Sequence, residues 1–442
     1  RGLAPDGGLF LPLEIKKYSE EELKVLSQLS YVDLATEIIS NFCKSDLEKT
    51  KLKPLIEKAY ECFDNKEVVS LKKIGKINLL ELYNGPTLAF KDIAMQVIGN
   101  MYDELNFAKE RKVNIVVATS GDTGSAAIAA LNDRKNINVF VLHPQNKISN
   151  IQRKIMTTIG SVNIFNLAVK GTFDDCQKIV KDMFSDNQFR EKINMSGVNS
   201  INWARIICQI VYYFYAAFKF PNKILNFSVP TGNFGDVYAG YVAKKMGLSI
   251  NKLIVATNQN DILQRVINLG EYKPSSVKPS LSPSMDIQIS SNFERLLYDI
   301  SNHDDKRVLS LMSKLKLEGS FKLSKKEVQN IKKDFNAAKV SDNETLEIIK
   351  EFENKYNFIL DPHTATAIGA SNKIKSNYET IIVGTAHPYK FLETIKKATG
   401  KQVDTPKQFT NLLDKKEKYD IIENKVSDVK NYILGKVAWK LK

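Results

Sequence analysis

Cysteine is scarce in this chain. Four occur in 442 residues, at 43, 62, 176 and 208, and no two stand at Cys-x-x-Cys spacing. That signals neither a zinc site nor a redox pair, and so few cannot make a disulfide scaffold, so a reducing cytoplasm is expected. The four histidines, at 143, 303, 363 and 387, are too scattered for a metal cluster, and no metal is expected. Long apolar runs are missing too. The most apolar stretch, IICQIVYYFYAAF at 206–218, is shorter than the ~20 residues of a membrane span and contains Gln209, so it reads as a buried helix. No signal peptide is evident, and no membrane partner is expected. Neither nucleotide fingerprint, GxxxxGK[ST] nor GxGxxG, occurs. There is no internal repeat and no low-complexity tract. The chain opens RGLAPDGG without methionine, which suggests that a few upstream residues are missing or processed.

The net charge of +14 invites a nucleic-acid reading. The lysines, however, are scattered among Glu and Asp in helical stretches, with no arginine-rich tail and no basic run interleaved with aromatics. The charge reads as surface composition that can help steer a small anion, and no nucleic-acid partner is expected. The 43% hydrophobic and 26% charged residues are ordinary for a globular protein, and the length suggests two to four domains.

Residues 1–77 read as a helical cap, with Ser19 opening SEEELKVL as an N-cap. Strands and helices then alternate. NIVVA (114–118), NVFVL (138–142), VNIFNLAV (162–169), ILNFSV (224–229), KLIVAT (252–257) and TIIVGT (380–385) are short apolar runs. Helices are expected at 124–131, from Asp174, and at 236–246. This is an α/β pattern, a parallel sheet with helices on both faces. The stretch 267–285 reads as a long loop, 306–353 as a helical solvated outer layer, and everything after about 400 as charged and peripheral.

Five motifs carry chemistry. YNGPTLAFKD (83–92) places Lys91 behind Leu88, Ala89 and Phe90. A surface lysine is the commoner case. A pocketed one is desolvated, and a neutral amine can act as nucleophile or base. TGNFGD (231–236) lies between strand and helix, where glycines and free N–H groups suit a phosphate; alone it could be a plain tight turn. ATSGDTGSAA (118–127) is a second such loop, suited to a carboxylate, with Ser120 or Asp122 as an ordinary cap otherwise. NSINWARIICQ sets Asn202 and Arg205 on one helical face, and an arginine fork fits phosphate oxygens, although a first-turn surface arginine would look the same. GTAHPYKF (384–391) follows a strand, so Thr385 can face a ligand at the strand's carboxyl end. There His387 is as readily structural as catalytic.

These motifs, with PTGNFGDVYAGYVAKKMGL, SMDIQISSNFERLLY and DPHTATA, resemble threonine synthase. RGLAPDGGLFLP matches the N-terminal signature of the longer bacterial and fungal form. The resemblance spans residues 1 to about 393. It implies a pyridoxal 5′-phosphate enzyme of the tryptophan-synthase-β-like fold type II, converting O-phospho-L-homoserine and water to L-threonine and phosphate, as monomer or homodimer. The implied domains are a helical N-terminal domain 1–77, a large cofactor domain 78–110 plus 205–442, and a small domain 111–204. By the same resemblance, Lys91 forms the Schiff base and Gly232, Asn233, Phe234, Gly235 and Asp236 hold the cofactor phosphate. Thr385 faces the pyridine nitrogen. Thr87 and Ser120, Gly121, Asp122 and Thr123 meet the substrate, the last four at its carboxylate, with Asn202 and Arg205 at its phosphate. Many fold type II relatives carry Asn, touching the cofactor's 3′-oxygen, where this chain has Asp122. The nearest rival is a phospho-lyase of the same fold, which releases α-ketobutyrate instead of threonine.

Overall fold

The structure is a computed structural model that describes residues 3–439 except 5, 44–46, 65–66 and 108–111. In chain order its strands are β1 (Ser70–Ile74), β2 (Ile77–Glu81), β3 (Val113–Ala118), β4 (Ile137–Pro144), β5 (Ile164–Val169), β6 (Met195–Ser196), β7 (Leu225–Pro230), β8 (Ile250–Thr257), β9 (Glu271–Tyr272), β10 (Phe321–Lys322), β11 (Phe335–Lys339), β12 (Glu379–Gly384) and β13 (Asp420–Ile422). By compactness the chain forms two units, one of residues 1–54, 63–84 and 200–404, the other of 55–62, 85–199 and 405–442. The division expected from the resemblance runs elsewhere, at 77, 110 and 204. Lys91 and its helix go with the second unit.

The first unit is built on a six-stranded sheet of order β1-β2-β12-β7-β8-β11. Every pairing is parallel except the β1–β2 hairpin. Parallel strands covered on both faces read as continuous apolar runs, and β7 is buried at all six positions. The helix Trp203–Phe218 is buried from Arg205 to Ala216, as its apolar run led one to expect. The second unit carries a parallel sheet of order β13-β5-β4-β3-β6, with β4 buried along its whole length. No helix among the described residues is long and apolar enough to cross a membrane.

Three expectations need correction. The cap of residues 1–77 is helical only in part: Ser19 and Glu22 form a capping box on Glu20–Leu26, but β1 lies within the same stretch. A lysine-rich LKKI becomes a strand because Gly75, at φ +56°, closes a hairpin with β2. The helical layer 306–353 is interrupted by β11, whose FNAAK pairs in parallel with β8. The segment after 400 is not peripheral throughout. There β13 pairs with β5, and Val429 and Ile433 of the helix Val426–Trp439 are buried with Cys176, Ile179 and Val180.

Candidate active site

In the second unit, Lys91 opens the helix Lys91–Phe107. The turn before it is held by its neighbour in sequence. Asp92, fully buried, accepts hydrogen bonds from the Thr87 N–H (2.8 Å) and the Thr87 hydroxyl (2.6 Å). Gly85 has no room for a methyl group, since a Cβ there would stand 2.6 Å from Asp92 Cβ. Leu88 takes φ +57°, a left-handed conformation that costs energy for a branched side chain and persists only when its surroundings impose it. The acid adjacent to Lys91 is therefore a turn brace, and Thr87 donates its hydroxyl to that brace. Lys91 pairs elsewhere: its Nζ donates to Asp122 Oδ2 at 3.2 Å, with side-chain exposures of 13% and 5%.

Asp122 begins the helix Asp122–Leu131, which follows β3. The N-cap residue is Gly121, which has no side chain to cap with. Thr119 does that work instead, its Oγ accepting from the Gly121 and Gly124 N–H groups, both at 2.9 Å. Ser120 and Thr123 are partly exposed on this loop. Gly121 sits at φ +134°, and a Cβ there would meet Gln152 Cδ at 2.7 Å. That close approach lets Gln152 Nε2 donate to Asp122 Oδ1 at 2.9 Å. One carboxylate oxygen is thus fixed by Gln152 and the other faces Lys91. Sequence reasoning missed Gln152, which lies thirty positions away in an unremarkable amphipathic helix.

In the first unit, the loop 231–236 leaves the carboxyl end of β7 and opens the helix Gly235–Lys245. Phe234 is the N-cap, in the left-handed region at φ +61°, and no side chain caps this helix. Gly232 is closely packed: a Cβ would lie 2.9 Å from Ile287 Cδ1 and 3.0 Å from the Ser284 carbonyl oxygen, so a side chain there would make these neighbours shift. Asn233 directs its carbonyl at Asn292, whose N–H and Nδ2 both donate to it. The Asp236 side chain turns inward. Its Oδ1 accepts from the Tyr212 and Tyr213 hydroxyls, and burial pushes its pKa up to about 6. Thr385 stands just past β12, the strand beside β7, and so shares that end of the sheet with the loop.

Arg205 is not a surface arginine. It is buried in the unit's interior, where desolvation lowers its pKa to about 10. Asn202 caps its own helix, its Oδ1 accepting from the Ala204 N–H at 3.1 Å. His387 stacks edge-on against Tyr83, accepts from the Tyr389 N–H, and is held below the ordinary imidazole pKa by burial. His363 shares a hydrogen bond with Asp361 at Nδ1 and accepts from the Ser284 N–H at Nε2, which fixes the neutral Nδ1–H tautomer.

A family model described as pyridoxal-phosphate dependent enzyme matches residues 71–384. Models for the threonine synthase N terminus and C-terminal region match 1–60 and 364–433. A threonine synthase of Pseudomonas aeruginosa is 41% identical over 98% of this chain and 93% of its own. The crystal structure of pyridoxal-phosphate-bound threonine synthase from Brucella melitensis superposes with a TM-score of 0.95 at 41% identity, covering 99% of this chain and 95% of that one. The yeast threonine synthase structure gives 0.92 at 41% identity, covering 99% and 95%.

Proposed function

We infer the roles below from one premise, that this chain belongs to the threonine synthase family of pyridoxal-phosphate-dependent enzymes. It is an enzyme, a lyase of threonine biosynthesis, and its cofactor is pyridoxal 5′-phosphate. Its substrate in this reading is O-phospho-L-homoserine, converted with water to L-threonine and phosphate in the cytoplasm.

The donor groups suit that cofactor. A closely packed glycine and an uncapped helix start offer backbone N–H groups to its phosphate, and a lysine amine is available for its carbonyl. In this reading Gly232, Asn233, Phe234, Gly235 and the Asp236 backbone take the phosphate, Lys91 Nζ holds the carbonyl carbon, and Thr385 offers its hydroxyl to the ring nitrogen. When bound, the cofactor withdraws the electrons left behind when a proton is removed beside the substrate's amine.

The rest falls to this chain's side chains. Once the substrate's own amine takes its place, Lys91 Nζ is free to take the proton from the substrate's Cα, give it up, and later take one from Cβ; phosphate leaves from Cγ, which gains a proton, water adds its hydroxyl at Cβ, and a proton returns to Cα. Asp122 is the counter-ion of the Lys91 ammonium while it carries that proton, and Gln152 keeps the carboxylate aimed. Ser120, Gly121 and Thr123 receive the substrate carboxylate. Asn202, through its Nδ2, and Arg205 are assigned to the substrate phosphate, and Thr87 to the turn that presents Lys91. The observation that carries this reading is the Lys91–Asp122 pair at 3.2 Å, with the Ser120–Thr123 loop running from it.

Purified enzyme given O-phospho-L-homoserine should yield threonine and phosphate in equal amounts, and Lys91→Ala should lose both product formation and the cofactor's visible absorbance. α-Ketobutyrate in place of threonine would move the function to a phospho-lyase of the same fold.

A further inference from the structure

The loop that receives the cofactor phosphate in the reading above is braced from behind by residues of SMDIQISSNFERLLY (284–298), a stretch with no role in that reading. Ser290 Oγ donates to the Gly232 carbonyl oxygen at 2.7 Å. The next carbonyl, that of Asn233, accepts from the Asn292 N–H at 3.1 Å and from Asn292 Nδ2 at 2.9 Å. In a planar trans peptide the carbonyl and the following N–H point in opposite directions. Pinning these two oxygens toward residues 290–292 therefore turns the Asn233 and Phe234 N–H groups to the opposite side, away from that segment.

Asn292 is itself oriented. It is fully buried, and Arg295 Nη1 donates to its Oδ1, which leaves Nδ2 as the end facing the Asn233 carbonyl. Arg295 is buried too, and its other donors go to the Phe10 carbonyl oxygen (3.1 and 3.0 Å) and the Ile201 carbonyl oxygen (2.8 Å). A guanidinium with five donors in a fixed fork is the side chain that can meet three such acceptors at once. One arginine so ties the N-terminal segment at Phe10 and the approach to the helix Trp203–Phe218 to the loop's brace.

We propose that Ser290 and Asn292, the latter held by Arg295, are positioning residues that aim the Asn233 and Phe234 amides at the cofactor phosphate. The inference rests on the reading that this loop is the phosphate cradle. An aimed set of amides binds phosphate without reorganising, so loss of the brace should tax affinity for the phosphate alone.

The test uses full-length enzyme freed of cofactor and titrated with pyridoxal phosphate and, separately, with pyridoxal, which lacks the phosphate. Ser290→Ala should weaken pyridoxal phosphate by about three- to tenfold, the worth of one hydrogen bond. Asn292→Ala should weaken it by more, and Ser290→Thr, which keeps a hydroxyl, should restore most of the loss. Pyridoxal affinity should change by less than about twofold in all three, since a single uninvolved contact is worth a few tenths of a kcal/mol. Equal weakening of both ligands, or of neither, would overturn the brace and leave these residues as ordinary packing. Should Asn292→Ala fail to fold, the Ser290 pair decides alone. A wild type that binds pyridoxal as tightly as pyridoxal phosphate would instead remove the phosphate-cradle reading, a failure read before any variant is made.

Discussion

Lys91 and Asp236 show how differently two buried charges can be treated. Lys91 keeps a carboxylate at 3.2 Å, and that carboxylate is in turn held by an amide from Gln152, so each charge in the chain of contacts has a partner. Asp236 has two tyrosine hydroxyls on one oxygen and, among the described residues, no hydrogen-bond partner on the other. Burial dominates there and raises its pKa from 3.8 to about 6. A raised acid pKa means that the folded state holds its proton where the unfolded state has lost it. The cost of this carboxylate is therefore absent below about pH 3.8, grows as pH rises, and is fully present above about pH 6. Asp236→Asn should gain stability relative to the wild type by about 2–3 kcal/mol between pH 4 and pH 7, at 1.36 kcal/mol per pKa unit. Urea unfolding across that range checks it, and a difference that stays flat with pH would refute the assignment. The sequence pointed to Lys91 by its apolar neighbours and to Asp236 by its place in a glycine loop. It did not show which way either side chain turns, because that depends on Gln152 for Lys91 and on Tyr212 and Tyr213 for Asp236, all of them 23 or more positions away along the chain.

At the scale of elements, the helix Asp122–Leu131 starts without a cap of its own and borrows one from Thr119, two residues before the N-cap glycine. Gly121 cannot carry a capping side chain without colliding with Gln152, so the cap had to come from further back. Thr119→Val keeps the shape and removes the acceptor, leaving the buried Gly121 and Gly124 N–H groups unpaired. At about 1–3 kcal/mol for each orphaned donor, we expect a loss of roughly 2–4 kcal/mol, mostly recovered in Thr119→Ser. A Thr119→Val enzyme as stable as the wild type would show that solvent or relaxation satisfies both amides. The same element illustrates what was legible. A small-residue turn between strand and helix is plain in ATSGDTGSAA. Thr119 itself went unremarked, since a hydroxyl at the end of an apolar strand reads as one more strand residue.

For the whole molecule, the C-terminal stretch matters more than its charge suggests. Ile433 is fully buried in the second unit, among Cys176, Ile179 and Val180, whereas Ile421 on β13 is about half exposed. Ile433→Ala should cost about 2–4 kcal/mol, by lost transfer and cavity terms, and Ile421→Ala well under 1 kcal/mol. Equal and small effects in thermal unfolding would return the tail to the periphery. The charge pattern misled here because the helix Val426–Trp439 buries only a narrow stripe. Its lysines and acids lie outside that stripe, and composition averages over both.

What the sequence determined by itself was everything that depends on neighbours a few positions apart. The apolar runs of β3, β4, β7, β8 and β12, the turns that follow them and the family resemblance all belong to that class. What only the tertiary structure decided were pairings across long separations. These include β11 beside β8, β13 beside β5, Asp122 rather than Asp92 as the partner of Lys91, and Ser290 and Asn292 behind the glycine loop. The reason is physical. Propensity, capping and turn chemistry are local energies, but a buried polar group is satisfied by whichever partner the packed chain brings to it, and that partner's distance along the sequence does not enter the energy.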